Sequence, residues 1–88
     1  MDRFSIIFDK DIEKDLKKIP KKIVQNILRK TSGLAANPTP AQSLKLSGTE
    51  GTYRLRVGDY RIIYTVNDSV KEITVYHIRH RKDIYRKL

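Results

Sequence analysis

The sequence contains no cysteine and only two histidines, His77 and His80. The absence of cysteine excludes disulfide bonds and thiolate metal ligands, and two histidines are too few for a convincing zinc site. Long apolar runs are also missing, since the short run near the start is broken by Asp9 and Lys10, which is typical of neither a signal peptide nor a membrane span. We therefore expect a cytoplasmic protein that uses no metal and no cofactor.

Acidic residues are fewer than basic residues. The chain has 10 Asp and Glu residues against 19 Lys and Arg, a net charge of +9 on 88 residues. Such an excess on a small protein predicts a phosphate-rich or acidic partner. A chain of this length forms one domain, here residues 1–88, and buries roughly three-fifths of the surface that the unfolded chain would expose.

The most regular pattern lies between Thr52 and Asn67, where two alternating segments flank Gly58-Asp59. This alternation predicts a half-buried β-hairpin, and Gly at the first position of a two-residue loop favours a type II′ turn. Arg56 then lies opposite Arg61, so the two share a face. The predicted polar face carries Arg54, Arg56 and Arg61, and the predicted core face carries Tyr53, Leu55, Val57, Tyr60, Ile62 and Tyr64.

Two helices are predicted before the hairpin. A first strand over residues 4–8 leads to Asp9, a good N-cap for a helix of about ten residues. Pro20 ends that helix and starts a second, which Asn37-Pro38 stops. Residues 39–51 are predicted to be mostly loop, anchored to the core by Leu44 and Leu46.

A further strand over residues 73–78 and a short C-terminal helix complete the predicted chain. The expected fold class is therefore α+β, in the order β-α-α-β-β-β, with an antiparallel sheet and a two-helix hairpin packed on one face. In the last strand His77 shares its parity with Ile73 and Val75, which predicts a buried core histidine. Arg79 has the same parity, so it reaches the polar face only past the strand end or after a β-bulge.

The segment after the last strand is rich in groups that bind phosphate, stack on bases and exchange protons, namely Arg79, His80, Arg81, Lys82 and Tyr85. Together with Tyr-Arg-Leu-Arg-Val-Gly-Asp-Tyr-Arg-Ile-Ile-Tyr in the hairpin, the ending Val-Tyr-His-Ile-Arg-His-Arg-Lys-Asp-Ile-Tyr resembles the RelE branch of the RelE/ParE superfamily of toxin–antitoxin toxins. Chain length, element order and the helix hairpin agree with this resemblance.

The resemblance implies a ribosome-dependent endoribonuclease that cuts mRNA codons in the A site without a metal, by attack of the ribose 2′-OH on the adjacent phosphodiester. It also implies a RelB-like antitoxin as partner. The positions that match the family's active site are Arg54, Arg56, Arg61, Arg79 and Tyr85, with Arg81 nearby. The resemblance assigns charge stabilisation at the phosphate to Arg61, assistance to the leaving 5′-oxygen to Arg79, and orientation of the nucleotide to Tyr85.

One departure from the family concerns the general base. Well-studied RelE toxins carry lysines where this chain has Arg54 and Arg56, and a guanidinium is a poor base. Arg56 is then electrostatic, and Tyr85 or His80 is the candidate base.

Three other functions stay open from the sequence. A ParE-like protein would share the fold but act on DNA gyrase. A plain RNA-binding module would contact phosphates without chemistry, and a degenerate toxin would retain only its binding to an antitoxin. The hairpin arginines together with the terminal His-Arg-x-x-x-Tyr favour the RelE alternative.

Overall fold

The computed structural model describes residues 3–46, 48 and 51–82, which form one five-stranded sheet and two helices. The strand order in the sheet is β1-β5-β4-β3-β2. In chain order the elements are β1 (Ser5–Phe8), α1 (Ile12–Lys17), α2 (Lys21–Gly33), β2 (Ser43–Lys45), β3 (Thr52–Val57), β4 (Tyr60–Asn67) and β5 (Glu72–His80). The α+β class and the strand–helix order are as predicted. Neither helix in the described ranges has the length and apolar character needed to cross a membrane.

The hairpin of β3 and β4 has the predicted register. Arg56 pairs with Arg61, and Val57 pairs with Tyr60 on either side of the turn. Gly58 has a φ of 58°, the positive value that the first central residue of a type II′ turn requires. The predicted division of this hairpin into a core face and an arginine face is therefore confirmed.

The core lies between one face of the sheet and the two helices. The helices contribute Ile12, Ile19, Ile27 and Leu34, and the strands contribute Leu55, Val57, Ile62, Tyr64, Ile73, Val75 and Ile78. All of these side chains are at most 8% exposed, so the hydrophobic effect acts mainly on this face. We call it the helix face, and we call the opposite side of the sheet the outer face.

The sheet is mixed, whereas the sequence analysis predicted an antiparallel one. β1 pairs in parallel with β5, from Ser5 opposite Glu72 to Phe8 opposite Val75. These two strands lie at opposite ends of the chain, so no local turn signal reports their relative direction. The other three strand pairs are antiparallel.

The segment predicted as loop contains a short strand. β2 pairs with β3, and Leu44 lies opposite Arg54 on the outer face. Leu44 is 54% exposed and does not anchor the segment to the core, so that prediction was wrong. Its neighbour Leu46 is half-buried.

α1 is shorter than predicted, with six residues, and its N-cap is Asp11. The backbone N–H of Asp9 still donates to the carbonyl of Val75 at 2.9 Å, so the chain has not yet left the sheet at that point. The Asp9 carboxylate instead accepts a long hydrogen bond of 3.5 Å from the N–H of Asp11. α2 begins directly after Pro20, as predicted, and ends at Gly33, four residues before the predicted stop. Arg81 and Lys82 are helical, and the rest of the predicted C-terminal helix lies outside the described residues.

β5 contains a β-bulge. Ile63 pairs with His77 but its neighbour Tyr64 pairs with Val75, which leaves Tyr76 as the extra residue on β5. The alternation of β5 therefore changes phase at Tyr76: Ile73 and Val75 face the helices before the bulge, and Ile78 faces them after it.

Candidate active site on the outer face

Three arginines lie side by side across the three central strands. Arg56 of β3 pairs with Arg61 of β4, and Arg61 pairs with Arg79 of β5. We call this set the arginine row. Since neighbouring strands are about 4.8 Å apart, the three α-carbons span roughly 10 Å. Like charges placed directly opposite each other destabilise a sheet, so this arrangement is favourable chiefly in the presence of an anion.

The bulge brings Arg79 into the row. Without the extra residue at Tyr76, the parity of Ile73 and Val75 would place Arg79 on the helix face. The sequence analysis required either a bulge or a strand end for Arg79 to reach the arginine face, and the structure shows the bulge. The α-carbons of Arg56, Arg61 and Arg79 thus lie in one row, whereas the Arg79 guanidinium turns to Asp15 on α1.

Arg61 is buried, with 8% of its surface exposed. Its guanidinium folds back over the hairpin turn, where Nη1 donates to the carbonyls of Gly58 at 2.9 Å and Tyr60 at 3.1 Å. The buried Nε–H has no hydrogen-bond partner among the described residues. An unpaired buried donor on a charged group costs about 1–3 kcal/mol or more, and an incoming phosphate oxygen would remove that cost.

Arg54 has the same feature one row away from the arginine row. It lies opposite Ile63 on the outer face, and its Nε is likewise buried with no partner in the described part of the chain. Two outer-face arginines therefore each carry an unpaired buried donor. Unpaired buried donors are rare in native proteins, so each one needs an explanation, such as a ligand that pairs with it.

An open groove with a volume of about 520 Å³ runs along the end of the hairpin. Arg56, Arg61 and Arg81 line it together with Lys30 of α2 and the turn residue Asp59. Arg79 lines a separate groove of about 320 Å³ with His80, Lys18 and Asp15. Five of the predicted site residues thus border two grooves, Arg56, Arg61 and Arg81 the first and Arg79 and His80 the second.

Arg81 is fastened to the hairpin turn through its backbone. Its N–H donates to the carbonyl of Asp59 at 2.7 Å, and its Nε lies 4.0 Å from the Asp59 carboxylate. Both side chains of this ion pair are largely exposed, so it contributes little to stability. Lys82 is exposed at the end of the described chain, and Tyr85 lies outside the described residues.

His80 lies on the helix face, away from Arg56 and Arg61, although it shares a groove with Arg79. It pairs with Tyr60 across the strands, and the two rings meet edge to face with centroids 5.4 Å apart. Its Nδ1 accepts a hydrogen bond of 3.3 Å from the N–H of Lys82, which assigns the proton of the neutral ring to Nε2. The lone pair that a general base needs is therefore already engaged, and this geometry does not support that role for His80.

His77 occupies the outer face, contrary to the prediction of a buried core histidine. It pairs with Ile63 in the row that contains Arg54, and its side chain is exposed. The cause is again Tyr76, because the bulge shifts every later residue of β5 by one position. Imidazole is the side chain that exchanges protons near neutral pH, so the outer face does contain a candidate base.

No three His, Asp or Glu side chains gather as a metal-binding group within residues 3–46, 48 and 51–82. What the outer face presents instead is a row of guanidinium groups, two unpaired buried donors and one exposed imidazole. Guanidinium groups bind phosphates with directed hydrogen bonds.

The chain matches the family model described as the ParE toxin of the type II toxin–antitoxin system parDE, over residues 6–85. The chain belongs to the RelE/ParE superfamily of type II toxin–antitoxin toxins. This confirms the superfamily that the sequence analysis named. The match covers nearly the whole chain and all the described elements except the first residue of β1.

Two solved relatives identify the branch. RelE in the archaeal RelE–RelB complex of Pyrococcus horikoshii is 32% identical, over 90% of this chain and 96% of that chain, with a TM-score of 0.80. The RelB–RelE complex of Methanococcus jannaschii gives 30% identity over 93% and 98% of the two chains, with a TM-score of 0.78. Toxin RelG of Mycobacterium tuberculosis is 38% identical over 37 residues, and the match spans 42% of that protein's length, less than half of it. The chain is a RelE-type toxin of this superfamily.

Proposed function

We propose that this RelE-type toxin is an endoribonuclease that cuts mRNA in the ribosomal A site and so inhibits translation. The observation that carries the proposal is Arg61, whose guanidinium is buried beside the hairpin turn with its Nε–H unpaired among the described residues. The two backbone hydrogen bonds of Nη1 hold the group in place before any substrate arrives. A donor fixed in this way stabilises charge that develops on a phosphate in the transition state.

The proposed reaction is an attack by the ribose 2′-oxygen on the adjacent phosphorus. The bond from phosphorus to the 5′-oxygen breaks, leaving a 2′,3′-cyclic phosphate on one product and a 5′-hydroxyl on the other. Arg61 stabilises the phosphoryl oxygens, and Arg79, its direct neighbour on β5, donates toward the leaving 5′-oxygen. Arg54 and Arg56 contact the flanking phosphates.

The proton of the attacking 2′-hydroxyl needs an acceptor, which the arginines do not provide. We assign this role to His77, the exposed imidazole on the outer face. The leaving 5′-oxygen takes its proton from solvent water, and His77 returns to solvent the proton that it accepted. Tyr85, which lies outside the described residues, keeps its proposed role of orienting the nucleotide.

The test is primer extension on a defined mRNA in a purified translation system, with and without ribosomes. Arg61→Ala is expected to lower the cleavage rate by about 100- to 1,000-fold, since it removes a preorganised charge stabiliser, while ribosome binding changes little. The matched control is Arg29→Ala, an exposed arginine on α2 whose guanidinium bonds only Asn26 among the described residues. Intact mRNA in the presence of folded wild-type protein would overturn the proposal. If Arg61→Ala lowered ribosome binding and cleavage modestly and to the same extent, the result would indicate an RNA-binding module.

A second candidate function is supported by the family model itself, which is described as a ParE toxin. A ParE-like protein would inhibit DNA gyrase and would cut no RNA. A gyrase supercoiling assay with the same wild-type and Arg61→Ala proteins separates the two, because only the nuclease depends on that guanidinium for chemistry. The two solved relatives of at least 30% identity come from complexes of RelE with RelB, which is why we rank the nuclease first.

The proposed partner is a RelB-like antitoxin. Both relatives above were solved as complexes of RelE with RelB, and the net charge of +9 suits an acidic partner. Such a partner binds only the folded toxin and would raise its apparent stability by mass action. The proposal places the protein in the cytoplasm, where its ribosomal target lies.

A further inference from the structure

Asp15 is a buried carboxylate that the sequence analysis did not single out. It lies on α1 and is only 8% exposed. A buried carboxylate is expensive unless charged or hydrogen-bonding groups surround it. Both of its oxygens are directed at β5: Oδ2 accepts a hydrogen bond of 3.2 Å from the N–H of Ile78, and Oδ1 pairs with Nη1 of Arg79.

The topology of the sheet explains why a carboxylate is needed there. β1 covers the edge of β5 only as far as the pair of Phe8 with Val75. β5 continues five residues further, to His80, so the N–H of Ile78 at this edge has no strand to bond to. Asp15 satisfies that N–H from α1, and the same bond fixes the carboxylate beside the guanidinium of Arg79.

This ion pair uses only one corner of the guanidinium. Nη1 of Arg79 bonds Asp15 and makes a long contact of 3.5 Å with the carbonyl of Ile78. A guanidinium has five N–H donors, and neither Nε nor Nη2 of Arg79 makes a hydrogen bond within the described ranges. The side chain is 25% exposed and borders a groove of about 320 Å³. The remaining donors are therefore available to a phosphate while Asp15 holds the opposite corner.

We propose that Asp15 is a positioning residue for the cleavage reaction: it orients the Arg79 guanidinium so that its free edge meets the scissile phosphate. This inference rests on the proposed function, since it assigns Arg79 to the leaving 5′-oxygen. Asp15 itself touches no substrate. Substitution of Asp15 should therefore change the cleavage rate of the ribosome-bound complex, and should do so only while Arg79 is present.

The test measures single-turnover cleavage of ribosome-bound mRNA at saturating toxin, and ribosome affinity separately. Asp15→Asn keeps an oxygen that accepts from the N–H of Ile78 but removes the charge that orients Arg79. We expect the saturated rate to fall about tenfold, because a misplaced catalytic group loses much of its advantage. Ribosome affinity should stay within about twofold of wild type. Glu13→Gln, an exposed carboxylate on the same helix, makes the same charge change and should leave the rate unaltered.

A double-mutant comparison separates positioning from general structural damage. In an Arg79→Ala background, Asp15→Asn should cause no additional loss of rate, because the group it orients is gone. An undiminished rate in Asp15→Asn, or an equal tenfold loss in both backgrounds, would overturn the inference while leaving the proposed function intact. Intact mRNA with wild-type toxin would instead remove the proposed function and this inference together.

Folding of the variants is followed by circular dichroism and thermal unfolding. If Asp15→Asn does not fold, Asp15→Glu replaces it, since Glu keeps the charge but moves the carboxylate by one methylene. A rate between those of wild type and Arg79→Ala, with unchanged ribosome affinity, is then the expected result. A wild-type rate for Asp15→Glu in that case would contradict a precise positioning role.

Discussion

Ile62 and Arg61 are neighbours on β4 that point to opposite faces of the sheet, and both are buried. Ile62 is fully buried among the apolar side chains of the helix face, and Arg61 is 8% exposed over the hairpin turn on the outer face. Burial of Ile62 removes apolar surface from water and stabilises the fold. Burial of Arg61 desolvates a charge and leaves its Nε–H unpaired among the described residues, which costs stability.

The comparison shows that similar burial has opposite meanings on the two faces. The apolar side chains of the helix face are buried within the chain itself, because they pack against α1 and α2. On the outer face, neighbouring guanidinium groups repel one another and buried donors are unpaired among the described residues, and a bound anion would relieve both costs. If the proposed function is correct, stability and catalysis depend on separate surfaces of the same three strands.

The largest expected difference between the two faces is in the free energy of unfolding of their variants. Ile62→Ala is expected to lower the free energy of unfolding by about 2–5 kcal/mol, because it leaves a cavity in the core. Arg61→Ala, one residue away, should change it by less than about 1 kcal/mol, since the lost hydrogen bonds are offset by relief of the buried charge. Urea unfolding measures both, and a loss in Arg61→Ala as large as that in Ile62→Ala would show that the guanidinium is part of the core structure.

The next effect distinguishes the two histidines, which the bulge places on opposite faces. His77→Gln should slow single-turnover cleavage by about a hundredfold, within the usual contribution of a general base. His80→Gln is the matched control and should leave the rate close to that of wild type, because its ring packs against Tyr60 on the helix face. An undiminished rate in His77→Gln, or a loss only in His80→Gln, would return the role to the terminal segment.

Local patterns in the sequence predicted the hairpin completely. The alternation of apolar and basic residues identified the faces, and Gly58 identified the turn, so the pairing of Arg56 with Arg61 followed directly. This succeeds because a two-residue turn determines the register of both strands, and a register shift would move every apolar side chain off the core face.

Non-local features were predicted less well. The parity of Arg79 indicated that a bulge or strand end was needed, but nothing in the sequence located the extra residue at Tyr76, so His77 was assigned to the wrong face. The parallel pairing of β1 with β5 and the contact of Asp15 with Ile78 join residues more than 60 positions apart. Such contacts depend on how the whole chain closes, and no short motif reports them.

The smallest effect concerns Tyr64, the fully buried tyrosine of the helix face, whose hydroxyl donates to the carbonyl of Pro38 at 2.6 Å. Burial raises the pKa of Tyr64; the nearby Tyr53 also raises it, and a hydrogen bond with Ser43 acts in the opposite direction. In the unfolded chain a tyrosine loses its proton at about pH 10, whereas Tyr64 in the folded protein retains its proton to higher pH. Above that pH the unfolded state binds fewer protons than the folded state, so the free energy of unfolding falls as pH rises.

Tyr64→Phe removes both the hydrogen bond and this titration. At neutral pH it should lower the free energy of unfolding by about 1 kcal/mol, the net value of one hydrogen bond. Above about pH 10 the difference in free energy of unfolding between Tyr64→Phe and wild type should narrow. The reason is that only the wild-type protein loses stability through the raised pKa of Tyr64. Tyr76→Phe, at the 39% exposed bulge residue, is the control and should parallel wild type throughout the alkaline range. A gap for Tyr64→Phe that stays constant with pH would show that the phenol ionises equally well in both states, and the helix face would then be less well sealed than its burial indicates.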